Sequence, residues 1–273
     1  MANPLISAED LAARSDTPAL LDVRWQLGGP PGRPEYEQGH IPGAVFVDLD
    51  TELAGPPGAA GRHPLPTPER FEAAMRAAGL DHDGPVVAYD GGNLMAAARA
   101  WWLLRYFGHA AVQVLDGGLS AWIAAGYATT TEKPSIPPGN FVVRPGGMPT
   151  LDAEGAARLS AYGVLLDARA PERFRGEHEP VDPVAGHIPA ARNLPVALTL
   201  GGDGRLLEPA ALRELFRDRG VRAEAEVGVY CGSGVSAAQE VLALEVAGFR
   251  AALYPGSWSE WVTDPARPVS RGD

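Results

Sequence analysis

Four segments of the chain occur twice, in the same order. LLDVRW at 20–25 returns as LLDARA at 165–170, and GHIPGAVFV at 39–47 as GHIPAARNL at 186–194. VVAYDGGNLMAA at 86–97 returns as VGVYCGSGVSAA at 227–238, and LDGGLSAW at 115–122 as LYPGSWSEW at 253–261. The offset stays between 138 and 147 residues. Chance similarity does not keep order over four segments, so the chain is a tandem duplication of one fold. Its 273 residues suit two domains of about 130 each. The boundaries fall at 1–131 for the first domain and 150–273 for the second. Residues 132–149 are rich in proline, show no helical periodicity and read as a stiff linker.

Within each half, short apolar runs alternate with amphipathic stretches. In the second half LDAEGAARLS reads as a helix, VLLDA as a strand and EPAALRELFRDRG as a helix. VGVY is then a strand, SAAQEVLALEVAG a helix and AALY a strand. Such alternation predicts an α/β fold, a parallel β-sheet covered by helices on both faces. Ligands of such sheets bind at the carboxyl ends of the strands. Cys231, the only cysteine, directly follows VGVY and so falls at such an end.

After Cys231 come Gly232, Ser233, Gly234, Val235 and Ser236, and then a helix. Two glycines in three residues let the backbone approach a ligand closely. A strand–loop–helix of this kind aims several amides at one point, with the helix N-terminus behind them. A thiolate held there is stabilised, as is an anionic atom bonded to its sulfur. A cysteine phosphatase would need an arginine six positions after the cysteine to clamp phosphate. That position is Ala237, so sulfur transfer through a persulfide fits better. A redox-sensing or binding module with a reactive lone thiol stays open as a second reading.

The loop CGSGVSA closely resembles the CG[ST]GVTA loop of 3-mercaptopyruvate sulfurtransferases. With GHIPGA, DGGLSAW and PGSWSEW, the whole chain resembles the two-domain rhodanese family. The resemblance implies two tandem rhodanese-like domains, of which the second carries the catalytic cysteine and the first is inactive. The repeat agrees: Asp90 stands where the second half has Cys231. A carboxylate cannot carry a sulfane sulfur.

The resemblance also implies site residues. Arg173 in APERFRGE matches the family arginine that contacts substrate. A Ser–His–Asp relay falls on Ser233, on His63 in GRHPLP and on Asp50 in FVDLD. The loop residues Gly232, Gly234, Val235 and Ser236 would hold the donor. Thiosulfate-preferring relatives carry cations at the two positions occupied here by Gly232 and Ser233. The neutral loop therefore favours 3-mercaptopyruvate, with thiosulfate the alternative donor and a thiol or cyanide the acceptor. Animal mercaptopyruvate enzymes carry a second arginine a few residues after the first. Here Val181 in GEHEPVDP lies nearest that position, and the donor assignment rests on one arginine. His40 and His187 recur once per half, as do Asp22 and Asp167, so they belong to the fold and not to catalysis.

The remaining features set bounds. The formal net charge is −11, which argues against nucleic acid or an anionic membrane as partner. A lone cysteine makes no internal disulfide, which points to a reducing, cytoplasmic setting. The N-terminal stretch MANPLISAEDLAARSD has no apolar signal region, and no apolar run reaches the roughly 18 residues of a membrane helix. Six scattered histidines and one thiol offer no metal site, and no cofactor motif appears. Of 23 basic residues only Lys133 is a lysine, a bias of GC-rich bacterial genomes. The expected partners are a small-molecule sulfur donor and a thiol acceptor. The sequence says nothing of oligomeric state.

Overall fold

The computed structural model describes residues 3–273, and the first two residues of the N-terminal stretch lie outside them. The chain forms two compact units. The first takes the chain to Gly55, Pro66–Met148 and Gly202–Leu206; the second takes Pro56–Leu65, Pro149–Gly201 and Leu207–Asp273.

In the first unit five strands form one parallel sheet. They are β1 (Leu5–Ile6), β2 (Ala19–Asp22), β3 (Val45–Phe46), β4 (Val86–Tyr89) and β5 (Val112–Leu115), in the spatial order β1-β5-β4-β2-β3. The flanking helices are α1 (Ala8–Ala12), α2 (Arg33–Gln38), α3 (Leu49–Glu52), α4 (Pro68–Ala77), α5 (Met95–Tyr106) and α6 (Gly118–Ala124). All four residues of β4, VVAY, are buried, as a strand covered on both faces requires.

The second unit repeats the plan. Its helices are α7 (Ala153–Tyr162), α8 (Pro171–Phe174), α9 (Pro209–Asp218), α10 (Ser236–Val246) and α11 (Ser257–Trp261). Its strands are β6 (Val164–Asp167), β7 (Arg192–Asn193), β8 (Val227–Tyr230) and β9 (Ala252–Leu253), parallel in the order β7-β6-β8-β9. A parallel bridge from Thr150 to Leu253 adds the edge that β1 supplies in the first unit. The helices start where local chemistry places them. Thr67 accepts from the Arg70 amide before Pro68 opens α4, and Asp152 accepts from the Gly155 amide at 2.7 Å before α7.

The repeated motifs do the same mechanical work in each unit. Asp22 binds the Arg24 guanidinium, whose Nη2 donates to the Gly39 carbonyl at 2.8 Å. Asp167 binds Arg169, whose Nη2 donates to the Gly186 carbonyl at 2.7 Å. In the GHIP segments, His40 Nδ1 donates to the Tyr36 carbonyl and His187 Nδ1 to the Phe174 carbonyl, each at 2.8 Å. Each imidazole stacks on the neighbouring ring, Tyr36 at 3.9 Å and Phe174 at 3.7 Å between centroids. The next amide, Ile41 or Ile188, donates to the hydroxyl of the central-strand tyrosine, Tyr89 or Tyr230, at 3.1 Å. Polar groups buried this deep are satisfied by one another, which is how a core tolerates them.

The proline-rich stretch has backbone ties of its own within the first unit. The Gly139 amide donates to Arg76, the Phe141 amide to Leu80, and the Arg144 amide to Phe107. Phe141 is fully buried, 5.9 Å from the Phe71 ring. Among the described residues no helix is long and apolar enough to cross a membrane.

Candidate active site

β8 ends at Tyr230 and delivers Cys231 to the carboxyl edge of the second sheet. The thiol is buried, and the Gly234 amide donates to its sulfur at 3.1 Å. Gly234 has φ of +80°, and a side chain there would meet the Pro255 carbonyl at 2.5 Å. The glycine thus permits both the turn and the close approach. Val235 is buried, and Ser236 opens α10 behind the loop.

The PGSWSEW segment clasps the loop from outside. The Cys231 amide donates to Ser257 Oγ at 3.1 Å, and the Cys231 carbonyl accepts from the Trp258 amide at 3.0 Å. The Gly232 carbonyl accepts from the Ser259 amide at 2.9 Å. Ser257 holds φ of +53°, a left-handed conformation that is costly for a residue with a side chain. Its Oγ compensates by donating to the Tyr254 carbonyl at 2.8 Å.

Two residues from Pro56–Leu65 reach the loop, and both belong to the second unit. His63 is buried, and its Nδ1 lies 2.7 Å from Ser233 Oγ. Arg62, which sequence reasoning did not single out, precedes it in GRHPLP. The Arg62 amide donates to Ser259 Oγ at 3.0 Å. Gly61, with φ of +100°, allows this approach: a Cβ there would lie 2.8 Å from the Gly256 carbonyl.

Arg62 and Arg173 converge over Gly232. From the place a Gly232 Cβ would occupy, Arg62 Nη2 is 2.9 Å away, Arg173 Nη1 3.5 Å and Arg173 Nη2 3.6 Å. Val181 bears no such role; its amide donates to Glu179 Oε1 at 3.0 Å. The second cation over the loop is Arg62, from a segment about 120 residues earlier in the chain than Val181. Its place beside His63 in GRHPLP was the available signal. Burial pushes the Glu179 carboxyl up, but the hydrogen bonds from Arg173 and from the Asp182 and Val181 amides outweigh it, leaving the group below the ordinary range.

Deeper on α10, Glu240 is fully buried with neither carboxyl oxygen hydrogen-bonded. Burial first, then the charges of Asp167 and Cys231, push this carboxyl well above its ordinary range.

Asp50 lies in the first unit, exposed on α3, where Oδ1 accepts from Trp25 Nε1 at 3.0 Å. Asp90 occupies the first unit's counterpart of the cysteine position. Its Oδ1 accepts from the Gly92 and Leu94 amides at 2.9 and 3.1 Å, and its Oδ2 from those of Ala96 and Ala97 at 3.2 Å each. Burial pushes this carboxyl up, and the four amides bring it only part of the way back. Among the described residues no group of three or more His, Cys, Asp or Glu is placed to hold a metal ion.

The rhodanese-like domain model matches the chain twice, at residues 7–125 and 152–264. "Putative thiosulfate sulfurtransferase SseB" of Mycobacterium tuberculosis is 51% identical over 98% of this chain and 97% of its own. "Probable 3-mercaptopyruvate sulfurtransferase" of Pseudomonas aeruginosa is 49% identical over 98% of both. The crystal structure of Escherichia coli SseA, a 3-mercaptopyruvate sulfurtransferase, superposes with a TM-score of 0.82. It is 34% identical and covers 95% of this chain and 100% of its own.

Proposed function

Because the chain belongs to the rhodanese family, we propose that it is a sulfurtransferase that draws its sulfur from 3-mercaptopyruvate in preference to thiosulfate. The observation that carries this reading is the loop itself. A lone thiol, reached by the Gly234 amide, faces a neutral Gly232–Ser233 pair over which two guanidiniums converge.

In this reading Arg62 and Arg173 take the donor carboxylate. Guanidiniums suit that group through paired N–H donors. The Cys231 thiolate attacks the donor sulfur. The sulfur–carbon bond breaks, and its electron pair leaves with the three-carbon fragment as pyruvate enolate. The proton carried on the transferred sulfur passes to the enolate carbon, giving pyruvate and an anionic Cys231 persulfide. Ser233, bonded to His63, donates to the developing enolate oxygen and passes the proton. Asp50 remains the proposed third member of this relay, to be read from Asp50→Asn. An acceptor thiolate or cyanide then attacks the outer sulfur and releases the Cys231 thiolate. The second domain, residues 150–273, carries the sulfur; the first, residues 1–131, is silent because Asp90 replaces the nucleophile. A persulfide enzyme with a single thiol suits a reducing bacterial cytoplasm.

Intact-mass measurement tests the chemistry. After 3-mercaptopyruvate treatment the protein gains the mass of one sulfur, and Cys231→Ser gains none. A gain of oxygen instead would identify a redox sensor. Steady-state rates with cyanide test the donor. A higher kcat/KM for thiosulfate would reverse the assignment.

A further inference from the structure

The two arginines over Gly232 are already ion-paired, and the pairs form one alternating chain. Asp167 binds Arg169 at 2.6 Å, and Arg169 reaches Glu179 at 3.4 Å. Glu179 binds Arg173 at 2.7 Å, Arg173 reaches Asp182 at 3.0 Å, and Asp182 binds Arg62 at 2.5 Å. Three cations and three anions cancel. The carboxylates at the donor end are inaccessible to water's screening: the Glu179 and Asp182 side chains are each 3% exposed.

We propose that Glu179 and Asp182 set donor choice, by cancelling the charge of Arg62 and Arg173 while leaving their outward N–H groups available to an incoming anion. The proposal rests on the sulfurtransferase reading and adds a specificity device to it. A site rich in donors but without net charge holds a monoanion through hydrogen bonds. It gives little extra to a second negative charge, because the Coulomb gain scales with the charge of the site. Thiosulfate carries two charges and the mercaptopyruvate carboxylate one. The neutral positions Gly232 and Ser233 would then be half of the device. The other half is the acidic pair in GEHEPVDP, which the sequence alone presents as a run without a useful cation.

A purely structural role for the acids, holding the arginines in place, predicts something different. Loosening them would weaken both donors together. Charge cancellation predicts that the two donors separate.

The test replaces Asp182 by Asn, which keeps size and an acceptor oxygen but removes one charge. The ratio of thiosulfate to 3-mercaptopyruvate kcat/KM is expected to rise about tenfold, the scale of one uncancelled charge acting on one additional ligand charge in a partly desolvated site. Glu179→Gln is the second variant and moves the ratio the same way. A binding measurement keeps this separate from the fate of the catalytic reading. In a Cys231→Ser background, calorimetric titration with sulfite and with pyruvate gives the dianion-to-monoanion affinity ratio without turnover. That ratio is also expected to rise about tenfold on adding Asp182→Asn. If both variants lower the two donors and the two ligands in parallel, the acids only position the arginines and the proposal is overturned. If the affinity ratio shifts but wild type forms no persulfide, the charge device stands and the sulfurtransferase reading falls.

Discussion

Replacing Asp90 by Ala offers the most direct measure of what the first unit's cradle is worth. The carboxylate accepts from four backbone amides, at 2.9, 3.1, 3.2 and 3.2 Å, and is 1% exposed. Leu94, one of those donors, holds φ of +63°, so the bond also secures a strained residue. Leaving a buried donor without its acceptor costs about 1 kcal/mol or more. Four of them give about 4 kcal/mol. Removing the carboxyl returns its desolvation penalty, which the upward pKa shift shows is not fully offset; about 1–2 kcal/mol is a fair share of that return. The expected net loss is about 2–3 kcal/mol. Asp90→Asn keeps one acceptor but turns an NH2 group toward the Ala96 and Ala97 amides, so it loses nearly as much. Urea unfolding monitored by the buried Trp101 and Trp102 of α5 reads the change. Added formate, which fits the vacated amides, restores part of the loss in Asp90→Ala. A loss within about 0.5 kcal/mol of wild type would refute the assignment, since ordinary surface substitutions do no more.

Glu240→Gln tests the buried carboxyl beneath the thiol. A carboxyl raised in the folded state favours folding below its unfolded value, about 4.3, and that advantage drains away as pH rises toward the folded value. The loss runs at up to about 1.4 kcal/mol per pH unit. Glu240→Gln removes it, so the variant gains on wild type in thermal melts as pH rises above the unfolded value, and a constant difference would count against the shift. The two loop glycines separate strain from access. Gly234→Ala, at φ of +80° and 2.5 Å from the Pro255 carbonyl, loses about 2 kcal/mol or more in urea unfolding. In Gly232→Ala the Cβ meets side-chain ends and no backbone, Arg62 at 2.9 Å and Arg173 at 3.5 Å, so stability holds while the donor KM rises several-fold; an unchanged KM would place the donor elsewhere.

Much of the fold was legible because its signals are local or repeated. Runs such as VVAY and VGVY announce strands buried on both faces, and the repeat in LLD, GHIP and the strand tyrosine marks a shared polar frame. The cysteine loop was legible because its glycines and its position after a strand are written in adjacent residues. Arg62 was not, because its only local signal, a place beside His63 in GRHPLP, says nothing of what the side chain reaches. Its partner Asp182 is 120 positions away, and His63 and Ser233 are 170 apart. A loop histidine beside proline is ordinarily solvated, and only tertiary packing buries this one. The proline-rich run between the halves is a different case. Lack of periodicity suggests a spacer, yet its amides donate to Arg76, Leu80 and Phe107. Phe141, the one aromatic in this run, was the clue that part of it packs.

The two cradles share a frame and differ in the anion they are built to hold. The carbonyl of Asp90 accepts from Leu119 at 2.8 Å as that of Cys231 accepts from Trp258 at 3.0 Å, and Gly118 at φ of +57° stands where Ser257 holds +53°. A carboxylate fills the first cradle from within: two oxygens take four amides, and the anion is covalently fixed there. On the proposed reading nothing is delivered from such a site, because its charge cannot leave. A thiol leaves the second cradle only partly engaged, with the Gly234 amide 3.1 Å from Sγ. On the proposed chemistry the added sulfur is the anion, held by the same kind of backbone donors and yet bonded to the protein through one exchangeable sulfur–sulfur bond. Catalysis by this fold then depends less on the cradle, which both halves possess, than on whether the atom inside it is able to depart.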